Sequence, residues 1–415
     1  LQFIGNGQRH LFNGSNFIFD SVGGGNVTFD NINPIISSSN VYNNGGVTNY
    51  FSGNASLNGQ GGGTLTFTVN SSTSQVGLEL LGNAGNMRLV KNGAGWMDMS
   101  NAGNAMGGGL QINNGTLRIT SSGQLNSGNY TTAITNNATL IYSGTLNQIL
   151  SGNITGTGSL TKNNTSTLTL TGANTYTGAT TINVGTLSMT GVGGYKTTAL
   201  SVASGATLRI NATGNATSSG ANTAGTWSPF NSVNASITGA GVVALNGTLF
   251  ISGGGSTGTM KTNLSAGGVL DVQSGSWAWG YGRDSTATNL GSLNVASGAE
   301  YRSSDGAIQF DALTGSGTVA NSYSGNITIT LGVSNTTNNA AYGVSGNTAT
   351  FSGVIKGPDT YTNVTTGTLN LVKTGTGTQI LNGNNTYTGT TTISAGTLEI
   401  GAAGRLGAGS YAGNI

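Results

Sequence analysis

Apolar and polar residues alternate with a period of two along much of this chain. Leu168–Gly172 reads LTLTG and Thr180–Leu187 reads TTINVGTL, with Thr or Asn between the apolar positions. Such alternation predicts strands with one buried face, and Thr, Val, Ile and Tyr suit a pleated surface. Gly172, Gly178 and Gly185 fall between these segments at turn spacing, where a residue able to take positive φ is needed. A looser form, apolar-x-apolar-x-x-Gly-x-Leu-x-apolar, recurs at Leu110–Ile119, Leu200–Ile210 and Leu293–Tyr301.

The alternation belongs to a longer repeat. Leu160–Leu187 and Leu371–Leu398 match at an offset of 211 residues: Lys162 with Lys373, Leu170 with Leu381, Gly172 with Gly383, Tyr176 with Tyr387, Gly178 with Gly389, Ile182 with Ile393 and Leu187 with Leu398. A weaker copy runs from Lys91 to Leu117, with Met99, Gly107, Ile112 and Gly115 on the pattern and one inserted residue. Self-similarity of this kind marks a solenoid, in which no unit buries its own apolar face and neighbours share one interior. With strand periodicity, the expected fold is all-β, a right-handed parallel β-helix (β-solenoid). Leu170, Ile182, Leu187, Leu381, Ile393 and Leu398 are expected to point inward.

Composition sharpens this. Charged residues are 6% of the chain, against roughly 25% in ordinary globular proteins. Ser, Thr, Asn and Gly cover the polar positions instead, and these are poor helix formers. The 3 prolines interrupt little ladder hydrogen bonding. A net charge of +2, with cations scattered singly, excludes a nucleic-acid surface. No apolar run reaches the roughly 18 residues of a membrane helix, so no membrane insertion by this segment is expected. Absence of cysteine excludes thiol, redox and Cys-based zinc chemistry. Leu1 opens directly into strand-like sequence without an initiator Met, as in a segment cut from a longer precursor.

The pattern K-x-G-x-G-x-x-x-L-x-G-x-N-x-Y-x-G-x-T-x-I-x-x-G-x-L, best kept at Lys373–Leu398, resembles the passenger-associated transport repeat, also called the autotransporter-associated β-strand repeat. Lys162–Leu187 departs from it with Asn164 and Ser166 where glycines are expected. Leu150–Gly156 and Phe351–Gly357 are similar to the lead-in of such repeats, the second followed by an insertion around Pro358. The resemblance implies a β-helical passenger, exported to the surface of a Gram-negative-type bacterium and often adhesive. It also implies a C-terminal membrane β-barrel, for which the stretch after Leu398 is too short.

The chain is expected to form one continuous rod. Its parts are Phe-rich coils at 1–90, coils with two repeat copies at 91–200, looser coils with irregular loops at 201–350, and the best copy at 351–415. His10, the only histidine, has no nucleophile or carboxylate near it in sequence and is expected in a turn. Trp277, Trp279 and Tyr281 alternate, so a strand would put them on one face. With Arg283 and Tyr301 they make a candidate glycan-binding surface, aromatic platforms beside charge. The turn residues Asn174, Tyr176 and Gly178, with Asn385, Tyr387 and Gly389, are expected to be structural, as ladder and turn residues. No catalytic group, metal site or cofactor is expected.

These readings favour a non-enzymatic extracellular protein with a structural or adhesive role, whose partners would be surface glycans. Two alternatives stand beside it. One is a fibre subunit joined to itself end to end, because unblunted solenoid ends template further strands. The other is a polysaccharide-binding or polysaccharide-cleaving β-helix centred on the aromatic cluster.

Overall fold

The computed structural model describes strands at 18–20, 27–29, 48–50, 56–58, 64–68 and 75–78, and residues 88–100, 102, 107–190, 197, 199–212, 236–247, 249–251, 261–264, 269–273, 276–279, 291–303, 307–321, 325–332, 340–358 and 366–415. His10 and most of the Phe-rich first ninety residues lie outside this set. The chain divides into two compact units, residues 1–191 with 195–197 and residues 192–194 with 198–415.

In the first unit the chain visits three parallel sheets in rotation. Ile134–Asn136 lies in one, Thr139–Gly144 in the next and Gln148–Leu150 in the third, before Ile154–Thr155 returns to the first. Each strand pairs in parallel with its counterpart one coil away. Leu140 is in register with Leu160, Ile134 with Ile154 and Leu150 with Leu170. Apolar residues thus stack on apolar residues at a coil length of 20 residues, and the alternation seen in sequence becomes alternating burial, as along Thr167–Leu170 and Ser159–Lys162.

The second unit follows the same logic. Ser292–Val295, Glu300–Ser303 and Ala307–Phe310 lie in three different sheets, and Leu313–Gly315 returns to the first. Among the described residues the one departure from parallel pairing there is the short Val344–Ser345 strand, antiparallel to Thr348–Phe351. Among the described residues the only helical segments are three-residue turns, at Asn126–Gly128, Ala340–Tyr342 and Gly407–Gly409. The fold is a parallel β-solenoid.

The expected core residues Leu170, Ile182, Leu187 and Leu381 are fully buried. Ile393 is not: it is 45% exposed, and Leu398 is half-buried. The strands Thr391–Ile393 and Thr397–Ile400 are the outermost of their sheets and pair with a strand on one side only.

Candidate functional site

The repeat builds a distinct kind of corner. Lys162 and Lys373 each end a strand, Lys91 lies one residue before the end of its own, and all three are fully buried. An isolated buried ammonium is costly unless its hydrogens are satisfied. Here backbone carbonyls surround it. Lys162 Nζ donates to Asn163 O at 2.6 Å, Asn164 O at 2.7 Å and Val184 O at 3.3 Å. Lys91 Nζ donates to Asn92 O at 2.7 Å, Gly93 O at 2.8 Å and Asn114 O at 3.2 Å. Lys373 Nζ donates to Thr374 O, Gly375 O at 3.0 Å, Gly332 O at 3.3 Å and Ala395 O at 3.4 Å. In every copy, two acceptors belong to the lysine's own corner and another to the corner of the following coil. Burial holds the Lys91 and Lys162 ammonium groups down at about 8, and that of Lys373 below its usual value, with Asp311 acting the other way.

Backbone geometry explains the sequence around each lysine. The second residue after it takes positive φ: Gly93 at 76°, Asn164 at 68° and Gly375 at 68°. Asn is among the few side chains that tolerate this region, so Asn164 replaces the expected glycine without changing the corner. Ser166, the other departure, is buried and donates to Gly144 O at 2.6 Å. In the next coil Gly185 lies directly over this corner: a Cβ there would stand 2.3 Å from Asn164 O and 2.6 Å from Ser166 O.

The other signature residues also serve the backbone. Asn174 is buried; its Oδ1 accepts from Ile154 N at 2.8 Å and its Nδ2 donates to Gly172 O at 2.8 Å. Asn385 does the same with Ile355 N at 2.9 Å and Gly383 O at 2.9 Å. Tyr176 and Tyr387 are buried, their hydroxyls 2.7 and 2.8 Å from Thr180 Oγ1 and Thr391 Oγ1. A Cβ on Gly178 or Gly389 would stand 2.2 Å from the carbonyl of Gly158 or Leu369. These six residues are thus packed or hydrogen-bonded inside the stack. Two buried glutamines of the same kind were not anticipated: Gln148 bonds Leu125 N and O at 2.7 and 3.2 Å, and Gln379 bonds Leu313 N and O at 3.1 and 2.9 Å. Their only sequence signal is an amide at a position where the alternation calls for an apolar residue.

Of the candidate glycan surface, Tyr301 alone has a described side chain. Tyr301 is buried, its ring edge-on to Phe310 with centroids 5.5 Å apart, so it offers no exposed platform. Tyr281 and Arg283 lie outside the described residues, as do the side chains of Trp277 and Trp279. The backbone register aligns Trp277 with Tyr301, which is itself aligned with the buried Val319.

Several charged groups outside the repeat are held by polar partners. Arg118 holds Asp98 through both carboxylate oxygens at 2.9 and 2.6 Å and lies over the Trp96 ring. Glu300 binds Arg302 and, at 3.1 Å, Lys356. Asp271 accepts from Gln273 Nε2 at 2.8 Å and Asn294 Nδ2 at 2.7 Å, and its bond to the Tyr342 hydroxyl helps push that phenol up to about 12, after burial. Among the described residues no three His, Cys, Asp or Glu side chains come together as metal ligands, and no helix is long and apolar enough to cross a membrane.

The family described as passenger-associated-transport-repeat matches at residues 89–119, 160–189 and 371–400. These are the three lysine corners with the coil that follows each. Searches of curated proteins and of solved structures return no match.

Proposed function

We propose that this chain, with its three passenger-associated transport repeats, is part of an autotransporter-type passenger. It is displayed outside a Gram-negative-type cell and acts there as a structural or adhesive element without catalysing a reaction. The observation that carries this reading is the direction of the repeat's polar residues. Lysine and asparagine of the signature turn inward onto backbone groups of their own and neighbouring coils, and tyrosine and threonine bond each other inside the coil. A motif spent wholly on stacking serves architecture. The outer faces, rich in Thr, Ser and Asn and poor in charge, would supply contact surface, with neutral surface glycans as the partner class.

Antibody raised against the chain tests the location. Intact bacteria that encode it should be labelled, and brief external protease should abolish the labelling. Labelling that needs permeabilised cells would overturn the reading. Beads coated with the purified chain should be retained on host-cell or glycan surfaces if the role is adhesive, and should pass through if it is architectural alone.

A further inference from the structure

The repetitiveness that makes this fold also threatens it. Gly-Thr-Leu recurs at 63–65, 115–117, 144–146, 185–187, 247–249, 367–369 and 396–398, and the strands between are alternating and polar on one side. A slip of one residue would turn every apolar side chain outward and is strongly opposed, but a slip of two keeps each residue on its face. Apolar alternation therefore does not discriminate the correct stacking from one shifted by two. Gly- and Thr-rich strands specify register weakly for the same reason.

The lysine corner supplies what alternation lacks. Lys162 Nζ reaches Val184 O, in the next coil, at 3.3 Å, and Lys91 and Lys373 reach Asn114 O and Ala395 O at 3.2 and 3.4 Å. Each of these acceptors precedes a glycine of positive φ, Gly185, Gly115 or Gly396. A two-residue slip would carry that carbonyl about 6.6 Å along the strand, beyond any hydrogen bond. The ammonium would then be buried with an unmet hydrogen. The slip would also bring a residue with a Cβ over a corner where Gly185 already stands against carbonyls.

We propose that the buried lysines are register selectors: each admits the following coil only in the frame that completes its carbonyl cage. Their contribution is to the uniqueness of stacking rather than to its strength. Buried polar and ionic groups have their best-attested use in fixing registry, and apolar replacements of similar volume are often neutral or stabilising. This rests on the reading of the repeat as architecture, not on where the protein is displayed.

The chain has no cysteine, so engineered pairs report register directly. Thr161 and Thr181 are aligned neighbours on the outer face. Thr161→Cys with Thr181→Cys should close under mild oxidant, since parallel neighbours lie about 4.8 Å apart. Thr161→Cys with Asn183→Cys should not, because its Cα atoms would be about 8 Å apart in the native frame, beyond the roughly 7 Å limit of a disulfide. Adding Lys162→Met to the full-length chain should leave strand circular dichroism and melting temperature unchanged or raised, while the second pair begins to close. Closure confined to the first pair in the Lys162→Met background would overturn the proposal. So would collapse of that variant, since the lysine would then be holding the coil in place rather than selecting its frame.

Discussion

Lys91 and Lys162 set an unusual pH dependence. Burial holds both near 8 in the fold, while the unfolded chain titrates at the ordinary lysine value of 10.5. Between these values the unfolded state binds more protons, so stability rises with pH. Tyr142 acts oppositely. Burial pushes its phenol up to about 12, so above pH 10 the unfolded chain loses protons that the fold retains, and stability falls. The melting temperature of the intact chain should therefore pass through a maximum near pH 10, and Lys162→Met should flatten its rising limb. A melting temperature that declines steadily from pH 7 would contradict this. At Tyr387, Phe should cost about 0.5–1.5 kcal/mol, because the hydroxyl joins Thr391 inside the coil. Chemical denaturation of Tyr387→Phe measures it. These residues show what the sequence conceals. A repeated lysine is visible in the chain, but whether it is a solvated charge or a caged one depends on a carbonyl 22 residues further on.

Corners rather than strands carry the specificity of the elements. Lys91 and Lys162 lie at or next to the ends of strands in different sheets of the same unit, so the repeat encodes one corner and its continuation, not one side of the coil. Gly185 and Gly205 give a matched test. Both take positive φ, at 76° and 77°, but a Cβ on Gly185 meets carbonyl oxygens whereas nothing lies within 4 Å of one on Gly205. Gly205→Ala should cost ~1 kcal/mol for the left-handed backbone alone, and Gly185→Ala clearly more, read from urea midpoints at equal slope. The alternation, the glycine spacing and the repeat offset made strands, turns and the solenoid legible in the sequence. Burial of Leu170 and Ile182 followed directly. The exposure of Ile393 did not, because alternation reports which way a side chain points and is silent on whether a rung lies over it. Tyr301 is a related case. Alternation put Tyr301 on a strand but did not say which face was the interior, and the structure packs its ring against Phe310.

At the scale of whole units, each coil touches mainly the coils next to it, so damage should stay local. Leu168→Ala, at a fully buried position, should cost about 2–5 kcal/mol and lower amide protection in the adjoining rungs. Strands such as Ile327–Leu331 in the second unit should keep theirs. Uniform loss of protection in hydrogen exchange would refute this. The register of Leu140 with Leu160 adds a genetic consequence. Removing residues 140–159 from the coding sequence would splice Thr139 to Leu160, leaving each remaining side chain with the kind of neighbour it had before. Unequal recombination between such stretches can then lengthen or shorten the protein by whole turns without any compensating mutation. Natural variants of this chain should accordingly differ by close to 20 residues at a time, and losses of half that size should be rare.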